Sequence, residues 1–285
     1  MRDYSTISPS AKSLLLTKGL TDIPYITAAT KLVWDKGTLT EFAHKTTDNH
    51  FLRRLIHFEE RYKSLDSILN QFECNNFLEI SSGFSFRGLH YCATREGINY
   101  IDTDLPEVIN TKSRLTHELI TLEKIELKSN LITSAMNALD EVSFENTVDQ
   151  LPKGPLALLN EGLLMYLNTD EKTRLCHIIR RVLKERGGYW LTADIYIKRD
   201  KKLYDGTDQI SRFLAAHNVE ENKFESFEQA GQFFNDNGLK LYKKADINWE
   251  TLSSLRYLPA HAVNELKNLA AQYGRIRETW ALISA

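Results

Sequence analysis

The chain has 285 residues, 42% of them hydrophobic, enough for one sizeable core or two small ones. Lys and Arg total 36 against 38 Asp and Glu, so the near-neutral charge offers no footprint for nucleic acid or an anionic membrane, and small-molecule or peptide substrates are expected instead. Three widely spaced cysteines (Cys74, Cys92, Cys176) without a Cys-x-x-Cys pair, and eight histidines without ligand spacing, argue for reduced structural thiols and no metal site.

The first residues, Met1 to Thr6, lack the apolar core of a signal peptide, and no apolar run approaches bilayer length, so a soluble cytoplasmic protein is expected. Residues Ser8 to Lys36 read as two helices broken at Thr21-Asp22-Ile23-Pro24, with Leu14, Leu15, Leu16 and Leu20 on one face. A third helix, His50 to Phe72, carries Phe51, Leu55, Phe58, Tyr62, Leu65, Ile68 and Leu69 at intervals of three and four. Together they form an N-terminal helical cap, residues 1–75, over the carboxyl edge of a sheet or over another of its faces. Residues 76–285 read as the core of one continuous domain, without repeat, linker or low-complexity tract.

That core opens at Asn76 with a short apolar strand, Phe77, Leu78 and Ile80, bearing Glu79 near its end. Small residues follow, Ser81, Ser82 and Gly83, and then an amphipathic stretch from about Ser85. Strand, small-residue turn and helix make the first unit of a doubly wound α/β fold, with ligands at the carboxyl ends of the strands. The three-glycine dinucleotide fingerprint is incomplete, because serines stand at 81 and 85 and only Gly83 remains. A second strand from Ile98 ends on Asp102-Thr103-Asp104, an acid about 20 residues past the turn where a ribose diol is held in such folds. Asp104 and Asp102 alternate onto one face and both qualify. Asp104 also has a structural reading, as the cap of the helix that starts near Pro106 and runs to Thr121.

Further strands are expected at Leu131 to Met136, Pro155 to Leu159, Tyr189 to Ile195, Leu239 to Ile247 and Glu278 to Ser284. Helices are expected at Thr169 to Glu185, Asp208 to Ala216, Ser226 to Asn237 and Pro259 to Tyr273. The helix from Thr169 has Asp170 and Glu171 in its first turn and closes on Gly187-Gly188.

Three stretches in this order, Leu78 to Gly88, Asp104-Leu105-Pro106-Glu107 and Asn160-Glu161-Gly162-Leu163-Leu164-Met165-Tyr166-Leu167, resemble the leucine carboxyl methyltransferase-like family of S-adenosylmethionine (SAM)-dependent O-methyltransferases, which includes polyketide-pathway relatives. The likeness runs from about Ser8 to the C-terminus. It implies a class I SAM-dependent methyltransferase (Rossmann-like) sheet with helices on both faces and a terminal antiparallel strand. The implied cofactor is SAM, and the implied reaction is methyl transfer to a carboxylate or hydroxyl of a small metabolite or a peptide C-terminus.

The resemblance selects Asp104 for the ribose and Glu161 for the methionine end, where an acid beside the ammonium is electrostatically sensible; a helix N-terminal carboxylate is the alternative for Glu161. Asn137 and Ala138 fall where the family has Asp and an apolar residue beside adenine. Lys18 stands where relatives have Arg for the carboxylate of SAM, keeping the charge without the bidentate fork. Glu79, Ser81 and Gly83 belong to the turn; Glu79 either meets the ammonium or ties the turn together. For the acceptor, Tyr25, Tyr166 and Tyr196 sit at element ends where its pocket should form, as does Asp194, although aromatic residues there are more often core; Arg87, a cation after the turn, is read as serving the acceptor or SAM, or as capping a neighbouring carbonyl. No catalytic residue is assigned, His90 reads as structural, and the oligomeric state is left open. Two other classes compete: a SAM-fold protein that binds a partner without catalysis, and a nicotinamide-dependent oxidoreductase, which the missing glycines disfavour.

Overall fold

Five consecutive buried residues, Asn76–Ile80, form the central strand β1. In the computed structural model, which describes residues 8–198, 209–273 and 275–285, this strand lies in the middle of a seven-stranded sheet. The helices α1 (Ser8–Lys18), α2 (Ile26–Val33), α3 (Lys36–Ala43) and α4 (Asn49–Leu69) precede it. After β1 come α5 (Arg87–Thr94), β2 (Asn99–Asp104), α6 (Pro106–Leu122), β3 (Asn130–Ala135), α7 (Glu141–Val148) and β4 (Leu156–Asn160). Then follow α8 (Thr169–Arg186), β5 (Gly188–Tyr196), α9 (Gln209–Ala216), α10 (Phe227–Asp236), β6 (Leu239–Lys244), α11 (Ala260–Tyr273) and β7 (Arg277–Ser284).

The strand order is β3-β2-β1-β4-β5-β7-β6. Strands β1 to β5 pair in parallel, and β7 inserts antiparallel between β5 and β6. This is the class I methyltransferase sheet that the resemblance implied. Its order reverses between β1 and β4, the switch point at which open α/β sheets bind ligands. Parallel central strands need cover on both faces, which explains the near-continuous apolar runs at 77–80 and 156–159.

One face packs Phe144 of α7, Leu175 and Ile179 of α8 and Phe234 of α10 onto the sheet. On the other, Leu65, Ile68 and Leu69 of α4 join Tyr91 and Cys92 of α5 against Phe77, Ala157 and Leu191. The segment expected as a cap therefore divides. Helix α4 is a sheet-face helix, because its apolar stripe continues through Leu69 and needs the sheet to cover it. Helix α1 lines the cleft described below with several residues, and α4 reaches it through Arg61.

Other differences are local. Helices α3 and α7 were not anticipated; both are short, and each is started by an aspartate cap, Asp35 and Asp140, rather than by a long apolar period. Strand β6 stops at Lys244, short of Ile247. The expected helix start at Asp208, and Met1 to Thr6, lie outside the described residues. No described helix is long and apolar enough to cross a membrane.

Gly88, in the first turn of α5, lets that helix approach β2. A Cβ added there would lie 2.7 Å from the Tyr100 ring and 3.0 Å from Asp102 Oδ2. Gly88→Ala should therefore destabilise the protein by about 1–3 kcal/mol, the range for overpacking. An unchanged urea midpoint would show that α5 can move away from β2.

Candidate functional site

At the carboxyl end of β1 the chain turns through Ser81 and Gly83, both with φ +52°. A left-handed serine is uncommon and is held in place by its surroundings. Ser82 N–H donates to Thr103 O (2.7 Å), and Gly83 N–H donates to Asp104 Oδ2 (2.7 Å). Asp104 Oδ1 accepts from Leu105 N–H (2.7 Å), so the carboxylate joins the turn to the start of α6. Burial pushes the Asp104 carboxyl up despite these two N–H groups.

A cleft opens above this turn, with about 1050 Å³ of empty space including its solvent-facing mouth. Met136, Ala138 and Leu139, after β3, make one wall apolar. Leu14 and Leu15 of α1 form the opposite cover.

At its other end stands Glu161, just past β4. Lys18 Nζ lies 2.5 Å and Arg61 Nε 3.1 Å from Glu161 Oε1, and Arg87 Nη2 lies 3.2 Å from Oε2. Burial alone would raise the Glu161 carboxyl, but the three cations hold it well below the usual carboxylate range. Burial draws Lys18 down in spite of Glu161. Arg87 is fully buried and is tied in turn to Glu79 and to Asp66 (Nε to Oδ1, 2.6 Å). The Tyr62 ring lies beside both Arg87 (4.1 Å to its centroid) and Lys18 (5.2 Å). The loop that presents Glu161 is fixed from below by Asp194, whose carboxylate accepts from the N–H groups of Gly162, Leu163 and Leu164 at 2.7, 2.7 and 3.2 Å. Asp194 thus takes the capping role that was the alternative reading of Glu161. Gly162, at φ +83°, gives Arg61 room: a Cβ there would meet its guanidinium at 3.2 Å.

Lys18, Glu79, Ser81, Gly83, Asp104, Asn137, Ala138 and Glu161, the expected SAM residues, all line this one cleft. Asp102, the rival of Asp104, does not; it is buried against Lys112 Nζ at 2.8 Å. Glu79 is held by Arg87 of α5 and by Tyr100 Oη of β2 (2.6 Å), partners outside the turn itself. Of the residues expected around an acceptor, Tyr166 lines the cleft. Arg87 does not reach it, because its three carboxylate partners draw it beneath the floor. Tyr25 packs on His90, with ring centroids 6.3 Å apart, away from the lining. Tyr196 is buried with its hydroxyl 2.8 Å from His57 Nε2 and 3.3 Å from Arg61 Nη1.

Arg61 was missed. Its signal was present: it follows Phe58 by three and precedes Leu65 by four, placing a cation on the buried stripe of α4. Burial would lower its pKa, but Tyr196 and Glu161 raise it.

No family model matches the chain, and no curated protein matches it. Solved structures similar to it include the mitomycin 7-O-methyltransferase MmcR (12% identity, TM-score 0.47, covering 85% of this chain and 60% of that one). NcsB1, an O-methyltransferase from neocarzinostatin biosynthesis solved with SAM and 2-hydroxy-5-methyl naphthoic acid, is similar at 12% identity and TM-score 0.47, covering 86% of this chain and 61% of that one. The chain thus spans about three fifths of the length of these two enzymes. A DUF574 family protein from Streptomyces avermitilis is 15% identical with a TM-score of 0.52, covering 81% of this chain and 85% of that one; the likeness is one of fold.

Removing the Glu161 charge leaves three cations facing one another. Glu161→Gln should cost about 3–5 kcal/mol at neutral pH, the scale for breaking a buried pair from one side. Because the folded carboxyl titrates below its ordinary value of 4.5, this stabilisation is present above that pH and fades as pH falls below it. Wild type and variant should therefore converge in acid. Equal urea midpoints at neutral pH would contradict the charge network.

Proposed function

We propose that the chain is a SAM-dependent O-methyltransferase with its acceptor in the same cleft. The observation that carries this reading is the spacing of chemistry along the cleft. A ribose-type carboxylate, Asp104, stands beside a turn N–H, an apolar wall follows at 136–139, and a zwitterion-type set, Lys18, Arg61 and Glu161, closes the far end. SAM presents a diol, a flat adenine and an amino acid end, the three features these groups complement. Bound SAM supplies an electrophilic methyl group on a sulfonium.

The chain's own residues bind and orient. Asp104 accepts from the diol, and Met136, Ala138 and Leu139 cover the ring with Asn137 at its polar edge. Glu161 exchanges Lys18 for the substrate ammonium, releasing Lys18 and Arg61 toward the carboxylate. Helix α1, lying over the cleft, excludes water from the reacting atoms.

The acceptor is best read as a carboxylate. A hydroxyl needs a base within hydrogen-bond reach, whereas a carboxylate does not. Among the described residues lining the cleft there is no histidine, Glu79 and Glu161 are engaged by cations, and Asp104 is engaged by the N–H groups of Gly83 and Leu105.

SAM or its demethylated product should raise the melting temperature, by mass action on the native state, and NAD should not. Asp104→Ala should weaken both adenosine and the demethylated product by about 1.5–3 kcal/mol, the range for hydrogen bonds to a charged group. Lys18→Met should weaken only the ligand that carries the amino acid end. A calorimetric isotherm with NAD and none with either SAM form would overturn the reading. Methyl label transferred to a carboxylic acid should be released by mild base as methanol; base-stable label would identify a hydroxyl acceptor, and binding without turnover across a broad acid and phenol panel would favour a non-catalytic binder.

A further inference from the structure

Lys112, on α6, is fully buried and does not line the cleft. Its ammonium lies 2.8 Å from Asp102 Oδ1 and donates to Ser82 Oγ at 2.8 Å. Ser82 does line the cleft, between the two left-handed residues Ser81 and Gly83. Asp102 is itself confined, with Oδ2 facing the close approach of α5 at Gly88.

Burying an ion pair is expensive, and a pair of this kind is weak evidence for stability because apolar replacements are often as stable. What the pair does here is mechanical. The turn from 81 to 85 has few internal bonds, Ser85 N–H to Ser82 O at 2.9 Å being one of them. Its external ties include Ser82 N–H to Thr103 O, Gly83 N–H to Asp104, and the Lys112 bond to the Ser82 hydroxyl. Of these, the third comes from a helix and joins the turn to β2 through Asp102. Burial pushes the Asp102 carboxyl up to about 6 even with Lys112 beside it.

We propose that Lys112 is a positioning residue: acting through Ser82, and held by Asp102, it fixes the turn that holds Asp104, the carboxylate that receives the ribose side of the ligand, which rests on the SAM reading above. It touches no ligand. Its effect is to keep a strained turn in one conformation before binding, so that the cost of ordering it is not charged to affinity.

The test uses Lys112→Met combined with Asp102→Asn, which removes both charges together and leaves no unpaired ion, and Ser82→Ala, which removes only the handle on the turn. Hydrogen exchange of the ligand-free protein reads the turn directly and does not depend on the identity of the ligand. Amides in the peptide spanning 81–85 should exchange about tenfold or more faster in either variant, the scale of losing one hydrogen bond to a charged group. A peptide from β4 should be unchanged. Titration with demethylated SAM should show a matching loss of affinity, and the two changes should not add when combined, since both break one bond. Unaltered exchange at 81–85 in both variants overturns the positioning role. Faster exchange there, with no binding of demethylated SAM even by wild type, leaves the tether established and removes the SAM reading. Additive affinity losses would mean that Ser82 and Lys112 act separately, and would also overturn the proposal.

Discussion

One buried carboxylate, Glu161, organises the upper half of this protein. It gathers a cation from each of three helices, Lys18 from α1, Arg61 from α4 and Arg87 from α5, onto the end of β4. Apolar packing alone would leave the placement of α1 and α4 free to slide by a turn. Discrete charge pairs in a low-dielectric setting do not permit that, because a displaced partner leaves an uncompensated ion. The network also extends downward, through Arg87 to Glu79 on β1 and Asp66 on α4, so the cleft floor and the sheet share one set of bonds.

The same logic governs the loops. Asp194 satisfies three consecutive N–H groups after β4, Asp104 satisfies those of Gly83 and Leu105, and Thr103 O that of Ser82. Small-residue turns at strand ends expose backbone donors, and each exposed donor that is buried needs an acceptor. Two carboxylates and one backbone carbonyl at neighbouring strand ends supply them here. They hold the turns open toward the cleft without filling it.

Strand and helix positions were largely legible in the sequence because they are local. The apolar runs at 77–80 and 156–159, the three-four spacing of α4 and the acids at the tip of β2 are each visible within a few residues. The strand-end rule then sufficed to bring Ser81, Gly83, Asp104 and Glu161 to one side of the sheet, where the structure has them lining one cleft. Short helices with weak periods, α3 and α7, were not legible, since an eight-residue segment presents barely two turns of pattern.

Amino-acid order by itself determined the strands and the longer helices, their parallel succession and which strand tips carry acids. Only the tertiary structure decided which charges meet. Lys18 and Glu161 are 143 residues apart and Arg61 and Glu161 are 100 apart, and no periodicity relates residues at such separations. Arg87 looked available for an acceptor until its partners were seen to draw it under the floor. Asp102 and Asp104, two residues apart on one strand, were equivalent by alternation. Lys112 beneath one, and the turn N–H of Gly83 facing the other, made the first a buried tether and left the second on the cleft wall. Local sequence specifies the direction in which a side chain leaves the backbone; the neighbours brought by the fold decide whether it reaches solvent, a ligand or another charge.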